Sequence, residues 1–269
     1  MPEDYFGERV AARFDERYAH MAEPAVVDPI VSFLADLARD GAALELGIGT
    51  GRIALPLAQR GVRVHGIELS EAMAARLHAK PGAEQIGVTI GDFATTTVPA
   101  TFSVAYLVAN TIMNLTTQDE QVACFRNAAA HLEPGGSFVI EVLVPRLRRL
   151  PVGETFQVFD VSPTHVGIDE YDVVRQGLVS HHYWIEDDKV DVCSPPFRYV
   201  WPSELDLMAQ LAGMTLRELA VEFDCSVHDP PLAQEIRLED GGAQGPGCHR
   251  LRRAADERLP QARDDRIRT

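Results

Sequence analysis

Three glycines spaced two apart, Gly47, Gly49 and Gly51, follow the short apolar run 43–46, and the acid Glu68 ends the next apolar run. Glycine in a tight turn lets backbone amides approach a ligand closely, and a helix predicted from Arg52 aims the positive end of its dipole at the same point. A carboxylate at the end of the neighbouring strand accepts two hydrogen bonds from vicinal hydroxyls, whereas it repels a phosphate placed there. Glycine turn and Glu68 together predict a nucleotide-type cofactor with a free ribose diol. The spacing reads G-x-G-x-G where dinucleotide-binding turns read G-x-G-x-x-G, and that one-residue difference argues against NAD. Such a turn also arises for packing alone; the spaced acid is what favours a ligand.

The elements that must carry these residues show as alternating patterns. Helices are predicted over 8–20, 27–37, 52–60 and 70–79, and from Thr117, with Glu120 completing a capping box, to Leu132. Between them lie apolar runs at 43–46, 62–67, 86–90, 102–108 and 138–142, of the kind covered on both faces in a parallel sheet. This alternation predicts an α/β fold with right-handed crossovers. After Pro145 helical periodicity stops, and 171–174, 178–185 and 189–192 read as antiparallel strands, with Asp187 and Asp188 at a hairpin tip. Strand five delivers the chain above the C-terminal ends of the parallel strands, where open α/β sheets bind ligands, so the insertion is expected to line a substrate site. A helix at 202–211 and a strand at 215–223 follow. Residues 224–269, with Pro, Gly and Arg scattered among acids, are expected to be irregular or locally helical and not a core strand.

Composition narrows the partners. A chain of 269 residues, 46% hydrophobic, can bury a sizeable core, and a net charge of -15 repels nucleic-acid backbones. The four cysteines are far apart with no C-x-x-C pair, which fits a reducing compartment and predicts no metal site. No apolar run approaches the roughly 18 residues that cross a bilayer, so no membrane partner and a cytoplasmic location are expected, for a monomer or homodimer acting on a small molecule.

At this point the chain resembles the class I S-adenosylmethionine-dependent methyltransferases, in particular the branch that modifies small molecules, over residues 14–223. The most specific match is Glu45 to Gly51 together with Glu68 and Asp92 at the ends of the first three strands. The resemblance implies a Rossmann-like, mostly parallel sheet of about seven strands with helices on both faces, plus a small antiparallel insertion after strand five. It implies S-adenosyl-L-methionine as cofactor. Gly47, Gly49 and Gly51, with Glu45 and Arg52, would hold the methionine portion; Glu68, followed by Leu69, would bind the ribose; Asp92 would meet the adenine amino group, with Phe93 and Met73 along the ring. Asn110 would close the methionine pocket or touch the acceptor, and Tyr5, Phe14 and Tyr18 would belong to a lid. The implied divisions are a helical lid at 1–40, a cofactor core at 41–144, the insertion at 145–200, the end of the core at 201–223 and an irregular tail at 224–269. A strand seven, expected in this family between strands five and six, finds no convincing apolar run after Asp224.

Methyl transfer is an in-line displacement, in which a base is optional for amines and more useful for hydroxyls. His181 and His182 are the candidates, because imidazole titrates near neutrality; on a strand they point to opposite faces, so at most one meets a pocket. Tyr106, Asn114, Tyr183, Phe197 and Tyr199 are candidates for an acceptor pocket, each equally explicable as core packing. Two other readings stand beside methyl transfer: a nicotinamide-dependent oxidoreductase, and an S-adenosylmethionine-binding protein without catalysis.

Overall fold

The computed structural model describes residues 5–145, 147–186, 189–221 and 232–238. Helices α1 (Glu8–Arg17) and α2 (Pro24–Ala38) lead into β1 (Ala42–Leu46), after which come α3 (Ala54–Gln59), β2 (Arg63–Glu68), α4 (Glu71–His78), β3 (Gly87–Ile90), β4 (Phe102–Leu107), α5 (Gln118–His131) and β5 (Leu132–Val142). Five strands follow, β6 (Phe156–Val161), β7 (His165–Asp172), β8 (Gly177–Glu186), β9 (Lys189–Cys193) and β10 (Pro196–Arg198), then α6 (Pro202–Leu211), β11 (Met214–Val221) and β12 (Leu232–Leu238).

The main sheet has seven strands in the order β11-β12-β5-β4-β1-β2-β3. Strands β3, β2, β1, β4 and β5 pair in parallel, and β12 runs antiparallel to both β5 and β11. Side-chain alternation separates two cores. Leu44, Leu46, Ala105 and Leu107 join Phe125 of α5 and Phe138 on one face; Ala43, Val104 and Tyr106 join Val31 and Leu34 of α2 and Leu57 of α3 on the other. Helix α2 is therefore part of the core. The α5 capping box forms as predicted, Thr117 Oγ accepting from the Glu120 amide and the Glu120 carboxylate from the Thr117 amide.

Three expectations are corrected. Strand β12 lies inside the stretch expected to be irregular, and it supplies strand seven. In its sequence, Leu-Ala-Gln-Glu-Ile-Arg-Leu, Gln, Glu and Arg interrupt the apolar residues, but it pairs from Leu232 to Leu238 with β11 and from Leu232 to Arg237 with β5. Ladders on both sides, not propensity, make it a strand. The remainder of 224–269 lies outside the described residues. Next, the helix expected from Arg52 starts at Ala54, after the glycine turn has been completed by Arg52 and Ile53. Finally, the strand expected at 171–174 ends at Asp172, whose carboxylate accepts the amides of Val174 and Arg175 and turns the chain back.

The second sheet is antiparallel, in the order β10-β8-β7-β6, with β9 also pairing β8. Asp187 and Asp188, the expected hairpin tip, lie outside the described residues; the strands they join pair Glu186 with Lys189. Tyr171 and Leu178, opposite each other, pack into the same core cluster as Leu46, Ile67 and Leu107, with Phe197 of β10 against it. That face of the sheet is thus turned toward the ends of the parallel strands. By alternation Ser180, His182 and Trp184 lie on this inner face, and His181 and Tyr183 on the outer one.

Candidate active site

At the end of β1 the chain turns through Gly47 and Gly51 with φ of +77° and +83°, the left-handed region that costs side-chain-bearing residues energy. A Cβ at Gly47 would lie 2.7 Å from Thr111 Cγ2, and one at Gly51 would collide with Leu77. The turn wraps around the end of β2. Glu68 accepts the Gly49 amide on one carboxylate oxygen at 2.8 Å and the Ser70 amide on the other at 2.9 Å. These bonds fix the plane of the carboxylate and leave each oxygen a further lone pair, the arrangement that a vicinal diol requires. Burial pushes the Glu68 carboxyl up, and the amides of Ser70 and Gly49 pull it back.

Glu45 is 4% exposed and accepts the Tyr106 hydroxyl at 2.9 Å. Burial pushes its carboxyl up to about 8, against the Tyr106 hydrogen bond and the nearby Arg52 guanidinium. A carboxyl held so far above its ordinary range is poised to ionise when a cation arrives beside it. Met73 and Phe93 are buried, with Met73 Cε 3.6 Å from where a Gly49 Cβ would stand and Phe93 at 3.7 Å from the corresponding point at Gly47. Leu69 is 42% exposed beside Glu68. Asp92, at the end of β3, accepts the Ala94 amide at 2.8 Å and is half-buried. After β4, Ala109 and Asn110 both have positive φ, +54° and +64°. This strained pair is tied to β5, the Ala109 amide donating to the Glu141 carboxylate and the Asn110 side-chain oxygen accepting from the Leu143 amide.

Helix α1 bridges the two sheets. Toward the glycine turn, Thr50 donates its hydroxyl to Asp15, Lys80 pairs with Asp15 at 2.6 Å and donates to the Thr50 carbonyl, and the Ser70 hydroxyl donates to the Phe6 carbonyl. Arg52 reaches the Met21 carbonyl just beyond α1. Toward the antiparallel sheet, Arg9 and Arg17 pair with Asp191, each at 2.6 Å, and Arg13 pairs with Glu186. The aromatic residues Tyr5, Phe6, Phe14 and Tyr18 contact one another in series, and Tyr18 meets Trp184 of β8 edge-on at 6.3 Å. Arginines at four-residue spacing face the antiparallel sheet while Asp15 and Glu8 face the glycine turn and α4, where Glu8 pairs with Arg76.

The structure therefore gathers Glu45, Gly47, Gly49, Gly51, Arg52, Glu68, Leu69, Met73, Asp92, Phe93 and Asn110 at the ends of the parallel strands, with Tyr18 on the bridging segment above. The acceptor candidates divide. Tyr106 and Tyr199 are 0% and 1% exposed and belong to the core, Tyr106 because its hydroxyl is spent on Glu45 and Tyr199 because it packs on Tyr171. His181 and Tyr183 lie on the outer face of β8; His181 donates to Glu170 at 3.2 Å and bonds the Ser194 hydroxyl, so it is not directed at the site. Asn114, in the turn after β4, and Phe197 are half-buried. His182 faces inward. Its Nδ1 is 3.0 Å from His165 Nε2, its Nε2 is 3.3 Å from the Ser180 hydroxyl, and burial, then the His165 charge, push its pKa down to about 4. His165, Asp160, Asp169 and Arg17 escape a reading of the sequence by motif. The one available signal is Ser162-Pro163, a turn that brings Asp160 and His165 together across a hairpin.

A family model described as a methyltransferase domain matches residues 43–136, the segment that holds the glycine turn, Glu68, Asp92 and Asn110. The CcbJ methyltransferase from Streptomyces caelestis is 34% identical, with 89% of this chain and 100% of that chain covered and a TM-score of 0.78. The cypemycin N-terminal methyltransferase of a Streptomyces species is 33% identical over 102 residues, and the chain spans 42% of the length of that curated relative and 38% of its own. An amino pentose methyltransferase from Micromonospora echinaspora, at 20% identity and a TM-score of 0.65 over 82% of this chain and 95% of that one, shares the fold. With a relative matched over its full length, with the glycine turn, and with an acid ending the second strand, the chain belongs to the class I S-adenosylmethionine-dependent methyltransferases, in their small-molecule branch.

Proposed function

We propose that the protein methylates an amine or hydroxyl of a small molecule by in-line displacement, the acceptor entering between the antiparallel sheet and the ends of the parallel strands. The observation that carries this reading is the Glu68 carboxylate, oriented by the Gly49 and Ser70 amides beside a side-chain-free turn. The donor set suits the cofactor: acids and aromatic faces stabilise a sulfonium, and a buried Glu45 can ionise against its ammonium. When bound, S-adenosylmethionine supplies an electrophilic methyl group. Glu68 would hold the ribose diol, Asp92 the adenine amino group, and Glu45 and Arg52 the charged ends of the amino-acid portion. The bridging helix would help exclude water, which matters because displacement at a sulfonium needs alignment more than acid-base help. His182, on the inner face, would accept the acceptor's proton; Asn114 and Phe197 would line the acceptor's path.

An amine is the favoured acceptor, since the cypemycin relative bears an N-terminal methyltransferase name and the inner face offers acceptors of hydrogen bonds, Asp169 and His182, to an N–H. A nicotinamide oxidoreductase would need the G-x-G-x-x-G turn that the chain lacks. The test is direct. Titration calorimetry should detect S-adenosylmethionine and its demethylated product, and mass spectrometry of a cell extract incubated with protein and methyl-labelled cofactor should show metabolites gaining one methyl unit. Binding without any labelled product would leave a cofactor-binding protein; no binding would end the reading.

A further inference from the structure

We infer that Asp160, His165 and His182 form a proton relay that carries the acceptor's proton from the inner face of the antiparallel sheet to its solvent edge; this rests on the methyltransferase reading above. Asp160 lies on β6, the edge strand, with a side chain 36% exposed, and accepts a hydrogen bond from His165 Nδ1 at 2.6 Å. That bond places the proton of neutral His165 on Nδ1 and leaves Nε2 with a lone pair. Nε2 is 3.0 Å from His182 Nδ1, which must then carry the proton, so His182 Nε2 holds the lone pair, 3.3 Å from the Ser180 hydroxyl. One exposed carboxylate thereby sets the tautomer of a ring two partners away.

The rings are fixed in place. His165 is buried at 8% exposure and stacks on Trp184 with centroids 4.0 Å apart and planes 27° apart, and on His182 at 5.1 Å and 24°. Phe159 closes the cluster edge-on against His182 at 5.4 Å. Two imidazoles this close disfavour a charge on both rings at once, and the Asp160 carboxylate touches the outer of the two. His182 by itself is a poor base, and Asp160 is the neighbour whose charge raises its proton affinity. Each step moves one proton. As the acceptor nitrogen gains its methyl, its proton passes to His182 Nε2, the His182 Nδ1 proton passes to His165 Nε2, and the His165 Nδ1 proton passes to Asp160 and out to water. Exchange with water restores the starting tautomers between turnovers.

The groups that face His182 are His165 and Asp160 from β7 and β6, Arg17, Tyr5 and Tyr18 from the bridging segment, Cys193 and Asp191 from β9, Asp169 across the inner face and His181 next along its own strand. Asp160 is the carboxylate that bonds the histidine pair directly, so Asp160→Asn isolates the relay: an amide oxygen still accepts from His165 Nδ1 while the charge is gone.

The test uses the full chain, labelled with 15N-histidine and saturated with S-adenosylhomocysteine, and follows the imidazole resonances from pH 8 to 4. The midpoint of the imidazole pair is expected to fall in Asp160→Asn, because the Asp160 charge is what favours the protonated form of His182. The labelled-extract assay should show the acid limb of the pH-rate profile moving down with that midpoint, and the plateau falling about tenfold. A histidine pair that merely packs would lose activity without moving the limb. Independent protonation of the two rings, or a midpoint unmoved by Asp160→Asn, overturns the relay. If the wild type yields no labelled product while the midpoint shifts as expected, the wiring stands and the proposed function fails.

Discussion

The groups that hold Glu68 are backbone amides of the adjoining turns, those of Gly49 and Ser70 among them, whereas around His182 the partners are side chains, Ser180 on its own strand, His165 across from it and, one step further, Asp160. The cofactor half is a backbone device and the acceptor half a side-chain device. Backbone amides come with any sequence that makes the turn, so the first half needs only glycines and one acid. Side-chain networks need a particular residue at each register position, which allows the acceptor half to change its chemistry while the cofactor half stays as it is.

The largest expected effect separates the halves by cofactor affinity. Glu68→Ala removes two charge-assisted hydrogen bonds to a diol, about 1.5–3 kcal/mol each, so calorimetric affinity for S-adenosylhomocysteine should fall at least about hundredfold. His182→Ala should leave that affinity within about twofold. Equal losses would show that the two halves are not separate devices. Within the acceptor half, His182→Ala should cut labelled-product formation about tenfold or more, and His181→Ala, on the outer face, should change it by less than about twofold. A reversed order would put the acceptor on the other side of β8.

The halves should also respond to pH with opposite sign. Glu45 has its folded pKa raised from 4.5 to about 8, so its contribution is fully present below 4.5 and is lost as pH rises toward 8. His182 has its folded pKa lowered from 6.5 to about 4, so its contribution is present above 6.5 and is lost as pH falls toward 4. Melting temperatures should therefore show Glu45→Gln gaining on the wild type at pH 8 to 9, and His182→Asn gaining at pH 4 to 5. Gains in the same direction would refute the burial argument for one of them.

The smallest effect concerns the helix between the halves. Its pairs toward the antiparallel sheet include exposed ones, Arg9 with Asp191, which salt screens, and the buried Arg17, whose side chain is 8% exposed. Arg9→Ala should raise the KM for S-adenosylmethionine by no more than about twofold, and Arg17→Ala by more, because Arg17 also lies 5.0 Å over the Trp184 ring. Similar values would mean that the bridge holds through its aromatic contacts alone.

Legibility followed the same division. Gly47, Gly49, Gly51 and Glu68 stand at ends of strands that read as apolar runs, so spacing along the chain is nearly distance in space. His182 was visible as a candidate, but not which of two adjacent histidines faces inward; that follows from Tyr171 and Leu178 entering the core. Tyr106 reads as a candidate because an aromatic residue on a core strand looks the same whether its hydroxyl meets a ligand or, as here, Glu45. Strand β12 was hidden because Gln234, Glu235 and Arg237 break up its apolar residues, and pairing with β5 and β11 is what marks it as a strand.

The sequence by itself determined the alternating α/β frame, the glycine turn and the acid beside it, because each depends on local geometry and on periods of two and 3.6 residues. Only the tertiary structure decided that β12 completes the sheet, that α1 joins the antiparallel sheet to the glycine turn and α4, and that Asp160, His165 and His182 fall into one line. Those are matters of register between segments, and register is settled by what is buried on each face when the strands meet.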